Sequence, residues 1–190
     1  MAVFQLQKDF GTKQHPKSGD LMIGHLNANG LLSKIDPDKN KDDKNIAASI
    51  KRYDVFAISE TRLVGSQERE LRGDHIPAGY TLTPVESRVK GRGGGVAIFV
   101  KDCWKYEVVR RFSYNLNDIG EPVEDAGGAH PCQYVHIVIK QYQPPTAAEP
   151  IDLLHTHIVA VYLPGSAPHQ KKTLLDLLGN QLKNYSNIVV

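Results

Sequence analysis

Cysteine is scarce in this 190-residue sequence, with two in all, and tryptophan scarcer, with one. Two thiols, Cys103 and Cys132, cannot build the disulfide lattice of a small secreted domain, so a reducing compartment inside the cell, nuclear or cytoplasmic, is expected. Charge of one sign is lacking as well: 23 Lys and Arg against 21 Asp and Glu leave a formal net charge of +2. That balance is too mild to mark a nucleic-acid binder by itself. No stretch approaches the roughly 20 apolar residues of a membrane span, so no membrane partner is expected. Residues 1–19 lack the apolar centre of a signal peptide and read as a flexible leader. What is present, 41% hydrophobic and 23% charged residues, is the composition of an ordinary globular protein, and the length suits one domain over 20–190.

Along the chain, strand and helix patterns succeed each other. The apolar run 21–26 ends at Asn27-Ala28-Asn29-Gly30, a strand feeding a tight turn. A polar loop at 33–40 precedes a helix opened by Asp42 and Asp43, with Ile46, Ile50 and Tyr53 as its apolar stripe and Lys51 and Arg52 complementing its dipole. Residues 54–59 are almost continuously apolar, the mark of a strand covered on both faces in the middle of a layered sheet. That run stops at Glu60. Further strands are predicted at 80–85, 95–100, 106–112, 133–139 and 154–163, separated by surface insertions at 115–130, acidic and Gly-rich, and at 141–150, Pro-rich. Ser166 and Pro168 open a second helix, striped by Leu174, Leu178, Leu182 and Tyr185 and weakened by Gly179. Residues 187–190 begin another apolar strand that nothing follows, which reads as an interrupted domain. Strand, helix, strand and then a series of strands argue α/β or α+β rather than all-β.

Three polar residues stand at the ends of predicted buried strands: Asn27, Glu60 and Tyr162. Singly each has an ordinary reading. Asn27 and Asn29 beside Gly30 suit a turn, Glu60 suits an ion pair or a helix start, and Tyr162 suits a strand aromatic. Together they form a donor set. The carboxyl edge of a layered sheet is where loops converge over a rigid platform. A carboxylate there can hold Mg²⁺, which takes one or two protein carboxylates and keeps its waters. Amides and a phenol can hydrogen-bond phosphate oxygens.

The series Leu26-Asn27-Ala28-Asn29-Gly30-Leu31, Ile58-Ser59-Glu60-Thr61-Arg62-Leu63, Gly93-Gly94-Gly95-Val96-Ala97-Ile98-Phe99-Val100-Lys101 and Val161-Tyr162-Leu163-Pro164 occurs in order. It resembles the endonuclease/exonuclease/phosphatase family, which includes abasic-site endonucleases and DNase I. The wording is most similar to the endonuclease domain of LINE-type (non-LTR) retrotransposons. The resemblance implies an α+β fold, the N-terminal half of a four-layer α/β/β/α two-sheet sandwich of the DNase I-like type. It implies a metal-assisted attack of water on a phosphodiester, with Mg²⁺ as the cofactor and Mn²⁺ as a substitute, and DNA as the partner, contacted through its phosphate backbone. By resemblance Glu60 and Asn27 are the metal ligands, and Asn27, Glu60 and Tyr162 the catalytic set, Tyr162 touching the scissile phosphate. Asn29, Arg62 and Arg92 are the substrate-binding candidates.

The family's Gly-Asp-x-Asn motif does not occur in this sequence, nor does its later Asp-His pair near the C-terminus, Gly73-Asp74-His75 coming too early and in a loop. Because such residues act as a unit, negligible nuclease activity is expected of the chain alone. A half-sandwich would expose an inner sheet face, so a complementing C-terminal half or self-association is expected to cover it. The alternatives are a non-catalytic interaction or split-protein module and a phosphatase of the same superfamily.

Other features carry less. The run Gly91–Gly95 lacks the Gly-Lys-Ser/Thr ending of a phosphate-binding loop and reads as a turn or a close backbone approach. Arg88, Lys90, Arg92 and Lys101 are expected to cluster around it, facing DNA or simply solvent. His155 and His157 share one strand face without further zinc ligands in suitable spacing. Trp104 reads as a packing residue.

Overall fold

The structure, a computed structural model, describes residues 21–36, 46–63, 71, 75–83, 94–116, 122–123, 132–141, 154–163, 168–185 and 187–190. The elements in chain order are β1 (Ile23–Asn27), α1 (Leu32–Ile35), α2 (Ile46–Ile50), β2 (Val55–Ser59), β3 (Tyr80–Leu82), β4 (Val96–Lys101), β5 (Lys105–Leu116), β6 (Pro122–Val123), β7 (Cys132–Gln141), β8 (Leu154–Tyr162), α3 (Pro168–Leu182) and β9 (Ile188–Val189). They form two sheets, ordered β1-β2-β4-β3 and β6-β5-β7-β8-β9.

The alternation of side chains along each strand sorts the core into three apolar layers. Phe56, Ile58, Ala97 and Phe99 face outward from the first sheet onto Leu31, Ile35, Ile46 and Ile50 of the α1–α2 side. Val55, Ala57, Val96, Ile98 and Val100 face the other way and meet Val135, Ile137, Ile139, Ile158 and Ala160 of the second sheet. Tyr134 and Val159, on that sheet's outer face, pack under Leu174, Leu178 and Leu182 of α3. The order is helix, sheet, sheet, helix, and the expected four-layer α+β sandwich is what forms. All five residues of β2 are buried, as its continuous apolar run predicts.

Tight contacts explain particular residues. Gly24 lies opposite Phe56 in the β1–β2 ladder, and a Cβ there would come within 2.7 Å of the Phe56 ring and 2.9 Å of Tyr53. Those two rings lie 5.3 Å apart and tilted, occupying the space a side chain would need. At the far end of the same strands, Asp54 Oδ2 accepts from the Met22 N–H at 3.0 Å. Trp104 packs against the inter-sheet core, in agreement with its expected role.

Several expectations change. The polar stretch after Gly30 contains α1, a single turn whose Leu31 and Ile35 are buried; the Lys and Asp around it masked two core residues. The Asn115 to His130 insertion contains β6, paired with the end of β5. The third strand ends at Leu82 rather than at 85. Tyr185 is 39% exposed rather than buried, because α3 ends at Leu182 and the helical period no longer holds beyond it. The inner faces of the two sheets are not exposed: they cover each other. Apolar exposure falls instead at Val108 and Val109 of β5 and on the flank of α3 and β9, where Leu175, Tyr185 and Val190 line an open groove of about 370 Å³. Asp42, Asp43, Ser166, the 1–19 leader and the acidic residues expected at 118–125 lie outside the described residues. Among the described residues no helix is long and apolar enough to cross a membrane.

Candidate active site at one end of the sandwich

Strand direction brings the polar residues together. β1 and β2 run parallel with Asn27 opposite Ser59, so the turns that follow leave the sheet side by side. They remain joined beyond the strands: the N–H groups of Ala28, Gly30 and Leu31 donate to the carbonyls of Ser59, Glu60 and Thr61 at 2.9, 2.9 and 2.8 Å. β4 runs antiparallel to β2 and begins at this end. Thr61 and Arg62 donate their N–H groups to the carbonyls of Gly95 and Gly94 at 3.2 and 2.9 Å.

The backbone here is strained. Among the described residues, the non-glycine residues with positive φ are Asn29 at 48°, Glu60 at 52° and Arg62 at 55°, all in these two turns. Each costs about 1–2 kcal/mol for an ordinary side chain, less for Asn. Such strain persists where surrounding structure over-determines it, and it gathers at functional sites. Gly94 and Gly95 have φ of 86° and 91°. A Cβ on Gly95 would overlap Thr61 Oγ1 and lie 3.2 Å from the Arg62 nitrogen. The expected close approach of the Gly-rich segment is thus an approach to the Glu60–Arg62 turn.

Side chains complete the arrangement. Asn27 Oδ1 accepts from the Asn29 N–H at 3.1 Å, so both asparagines serve the turn, while Asn27 stays exposed and that bond does not use its amide NH₂. The Arg62 guanidinium lies 3.8 Å from the Glu60 carboxylate, the two side chains being 41% and 25% exposed. An ion pair that open adds little stability, so both groups can be drawn to a ligand. Tyr162 closes β8 and is 8% exposed. Burial pushes its hydroxyl pKa up, the Glu60 charge pushes it further, and Arg62 and a hydrogen bond from the Gly94 backbone pull the other way. The phenol stays protonated near neutrality and can donate. Tyr162 comes from the second sheet and Glu60 from the first, and each sits within the other's field.

Asn27, Asn29, Glu60, Arg62 and Tyr162 are therefore gathered at one end of the sandwich. Arg92 lies outside the described residues, as do Arg88 and Lys90. Lys101 does not belong to this group: it stands at the opposite end of β4, where its Nζ is 3.5 Å from Asp54 Oδ1. The reason is strand length, since five steps along β4 carry it roughly 17 Å away.

Three residues near the site were not singled out from the sequence. His25 Nε2 lies 3.2 Å from Ser59 Oγ, two positions before Asn27 on the same face of β1; that period-two spacing was the available signal. Thr61 is 1% exposed and fixes the contact with Gly95. Gln133 is fully buried and accepts from the Gly95 N–H at 2.6 Å. Nothing in the sequence alone ties Gln133 to a glycine 38 residues earlier.

His157 lies elsewhere, on the α3 face of the second sheet. Its Nδ1 is 3.0 Å from His136 Nε2, and the Tyr185 ring stacks on it at 3.8 Å. Among the described residues no group of three or more His, Cys, Asp or Glu side chains could hold a metal. Cys132 is buried and its thiol is pushed up to about 11 by burial, which makes it an inert core residue.

The model of the Endonuclease/Exonuclease/phosphatase family matches residues 24–189. No curated protein sequence matches this one. Among solved structures, an endonuclease/exonuclease/phosphatase family protein from Bacteroides thetaiotaomicron is similar with a TM-score of 0.51 and 18% identity, over 86% of this chain and 58% of its own. A functionally unknown conserved protein from Enterococcus faecalis V583 is similar with a TM-score of 0.50 and 15% identity, over 86% of this chain and 62% of its own. At such identities the likeness is one of fold, and this chain spans less than two thirds of either neighbour's length. The α/β/β/α layering is that of half a DNase I-like sandwich, and the chain belongs to the endonuclease/exonuclease/phosphatase family.

Proposed function

We propose that this chain carries the metal- and phosphate-binding side of a Mg²⁺-dependent phosphodiesterase site, and that the substrate is the backbone of DNA, as in the endonucleases of LINE-type retrotransposons. The observation that carries the reading is that Tyr162 and the strained Glu60 turn, from different sheets, are brought to one end of the sandwich, Gln133 standing opposite Tyr162 and bonded to the Gly95 that the turn also holds. Protein chains keep such strain where a fixed geometry is needed.

The donor set fits the ion. One accessible carboxylate, Glu60, with an amide at Asn27, suits a hard cation that keeps several waters; it does not suit the closed nitrogen and sulfur cage of structural zinc. Bound there, Mg²⁺ would supply positive charge to the phosphoryl oxygens during displacement. The chain's own residues do the remaining work. Arg62 turns from Glu60 toward a phosphate, Tyr162 donates its hydroxyl proton in a hydrogen bond to a phosphate oxygen, and Asn27 orients the same group. These are binding and orienting roles. Activation of water is assigned by family resemblance to motifs this sequence does not contain, so the chain alone binds without appreciable turnover. Action on DNA would place the protein in the nucleus or cytoplasm.

The test is Mn²⁺ added to the ¹⁵N-labelled chain, followed by a nicking assay on supercoiled plasmid with Mg²⁺. Paramagnetic broadening centred on Asn27, Glu60 and Tyr162, lost in Glu60→Ala, is expected, with no nicking. Broadening centred elsewhere, or unchanged by Glu60→Ala, would overturn the site. Mg²⁺-dependent nicking abolished by Glu60→Ala would overturn the expected lack of turnover.

A further inference from the structure

Gln133 sits where an apolar residue would be the cheaper occupant. It is the second residue of β7, fully buried, on the same face as Val135, Ile137 and Ile139 in the inter-sheet core. Burying an amide in such surroundings is unfavourable unless its polar atoms are matched. The match is on the other sheet: Gln133 Oε1 accepts from the Gly95 N–H at 2.6 Å. Gln133 is also the cross-strand partner of Tyr162.

We propose that Gln133 is a positioning residue of the candidate phosphodiester site, a role that rests on the phosphodiesterase reading above. Its carbonyl oxygen fixes the Gly94–Gly95 backbone. Gly95 in turn receives the Thr61 N–H, Gly94 receives the Arg62 N–H, and Tyr162 stands directly across the β7–β8 ladder from Gln133. One buried amide thereby sets Glu60, Arg62 and Tyr162 in a common frame, although they come from two sheets. The Gly94–Gly95 turn has no side chain of its own to hold it, and Thr61 leaves no room for one at Gly95. Beyond the bonds from Thr61 and Arg62, which hold its carbonyls, the tether on its N–H comes from across the sandwich. Sites of this kind work only when their groups are held to within about 0.5 Å by a supporting shell.

The test uses the full chain with Mn²⁺ as the probe, read by broadening of the Asn27 and Glu60 amide signals, and a DNA dinucleotide as the second probe. Gln133→Met keeps the length and removes the strong acceptor; Gln133→Glu keeps an oxygen at the same reach and, buried, holds its proton. Gln133→Met is expected to weaken Mn²⁺ and dinucleotide binding about tenfold, the effect seen when partners that orient metal ligands are removed. It should shift the amide signals of Arg62, Gly94, Gly95 and Tyr162, while Gln133→Glu restores binding. A purely structural role would lower the melting temperature without moving the binding midpoints. Wild-type binding by Gln133→Met overturns the proposal. If that variant does not fold, Gln133→Asn, which withdraws the acceptor by one methylene, is expected to show the same weakening, and wild-type binding by it overturns the proposal equally. A wild-type chain that broadens no signal at Asn27 or Glu60 removes the phosphodiesterase reading and this one with it; binding unaffected at position 133 removes this one alone.

Discussion

Strands β7 and β8 carry a polar cluster on each of their two faces, and the two are built in opposite ways. On the inter-sheet face, Gln133 and Tyr162 meet Glu60, Arg62 and Gly95, whose backbone lies in the left-handed region. On the α3 face, His136 and His157 hydrogen-bond to each other under the Tyr185 ring, and the β7–β8 register runs unbroken beneath them. The first cluster joins segments far apart in sequence at a backbone cost and leaves Glu60 and Arg62 accessible. The second pairs one ring nitrogen of each histidine with the other, and both histidines are buried. A polar group inside an apolar sandwich is therefore not enough to mark a site. Strain together with accessible charge distinguishes the cluster proposed as the site from the structural one.

The largest effect expected at the strained end is that of Gly95→Ala. It must hold a positive φ and place a methyl against Thr61, so it should cost about 3 kcal/mol or more, read as a lower urea midpoint. Gly179→Ala, an open helical position with nothing within 4 Å, serves as the control and should gain about 1 kcal/mol. Equal small effects at both glycines would erase the contrast between constrained and ordinary backbone.

The histidine face should respond to acid. His136 is pushed down to about 4, first by burial and then by the charge of His157, and Arg110 is its neighbour on β5. Because its folded pKa lies below the unfolded value near 6.5, the unfolded chain binds more protons between those values. Stability from this group is full above about pH 6.5 and falls as pH drops toward 4, by roughly 2–3 kcal/mol at most. Chemical denaturation between pH 7 and 4.5 should show that loss, and His136→Gln should flatten it. An unchanged slope in that variant would mean the acid sensitivity arises elsewhere.

The smallest effect separates strain from stability at the site itself. Glu60→Gly removes a side chain from a φ of +52° and should raise stability by about 0.5–1 kcal/mol, while Mn²⁺ broadening at Asn27 disappears. A loss of stability on that substitution would show that Glu60 holds the turn rather than being held by it.

Much of this was legible in the sequence, for identifiable reasons. The continuous run in β2 announced a strand covered on both faces, and the leucine period of α3 announced its buried side. Asn27, Glu60 and Tyr162 were recognisable because each ends such a run. The Leu32–Ile35 turn was missed because its apolar residues are outnumbered by Lys and Asp nearby. Lys101 was misplaced because nearness in sequence to a Gly-rich loop says nothing about which end of a strand a residue occupies.

What the sequence determined by itself is the set of elements and their inward faces, because periodicity is a local property of helices and strands. Only the tertiary structure decided which elements meet. The pairing of β1 with β2 in parallel, the reach of Gln133 to Gly95 and the pairing of His136 with His157 all depend on strand order and register. Those are fixed by how apolar faces pack across the whole chain, and no local pattern encodes them.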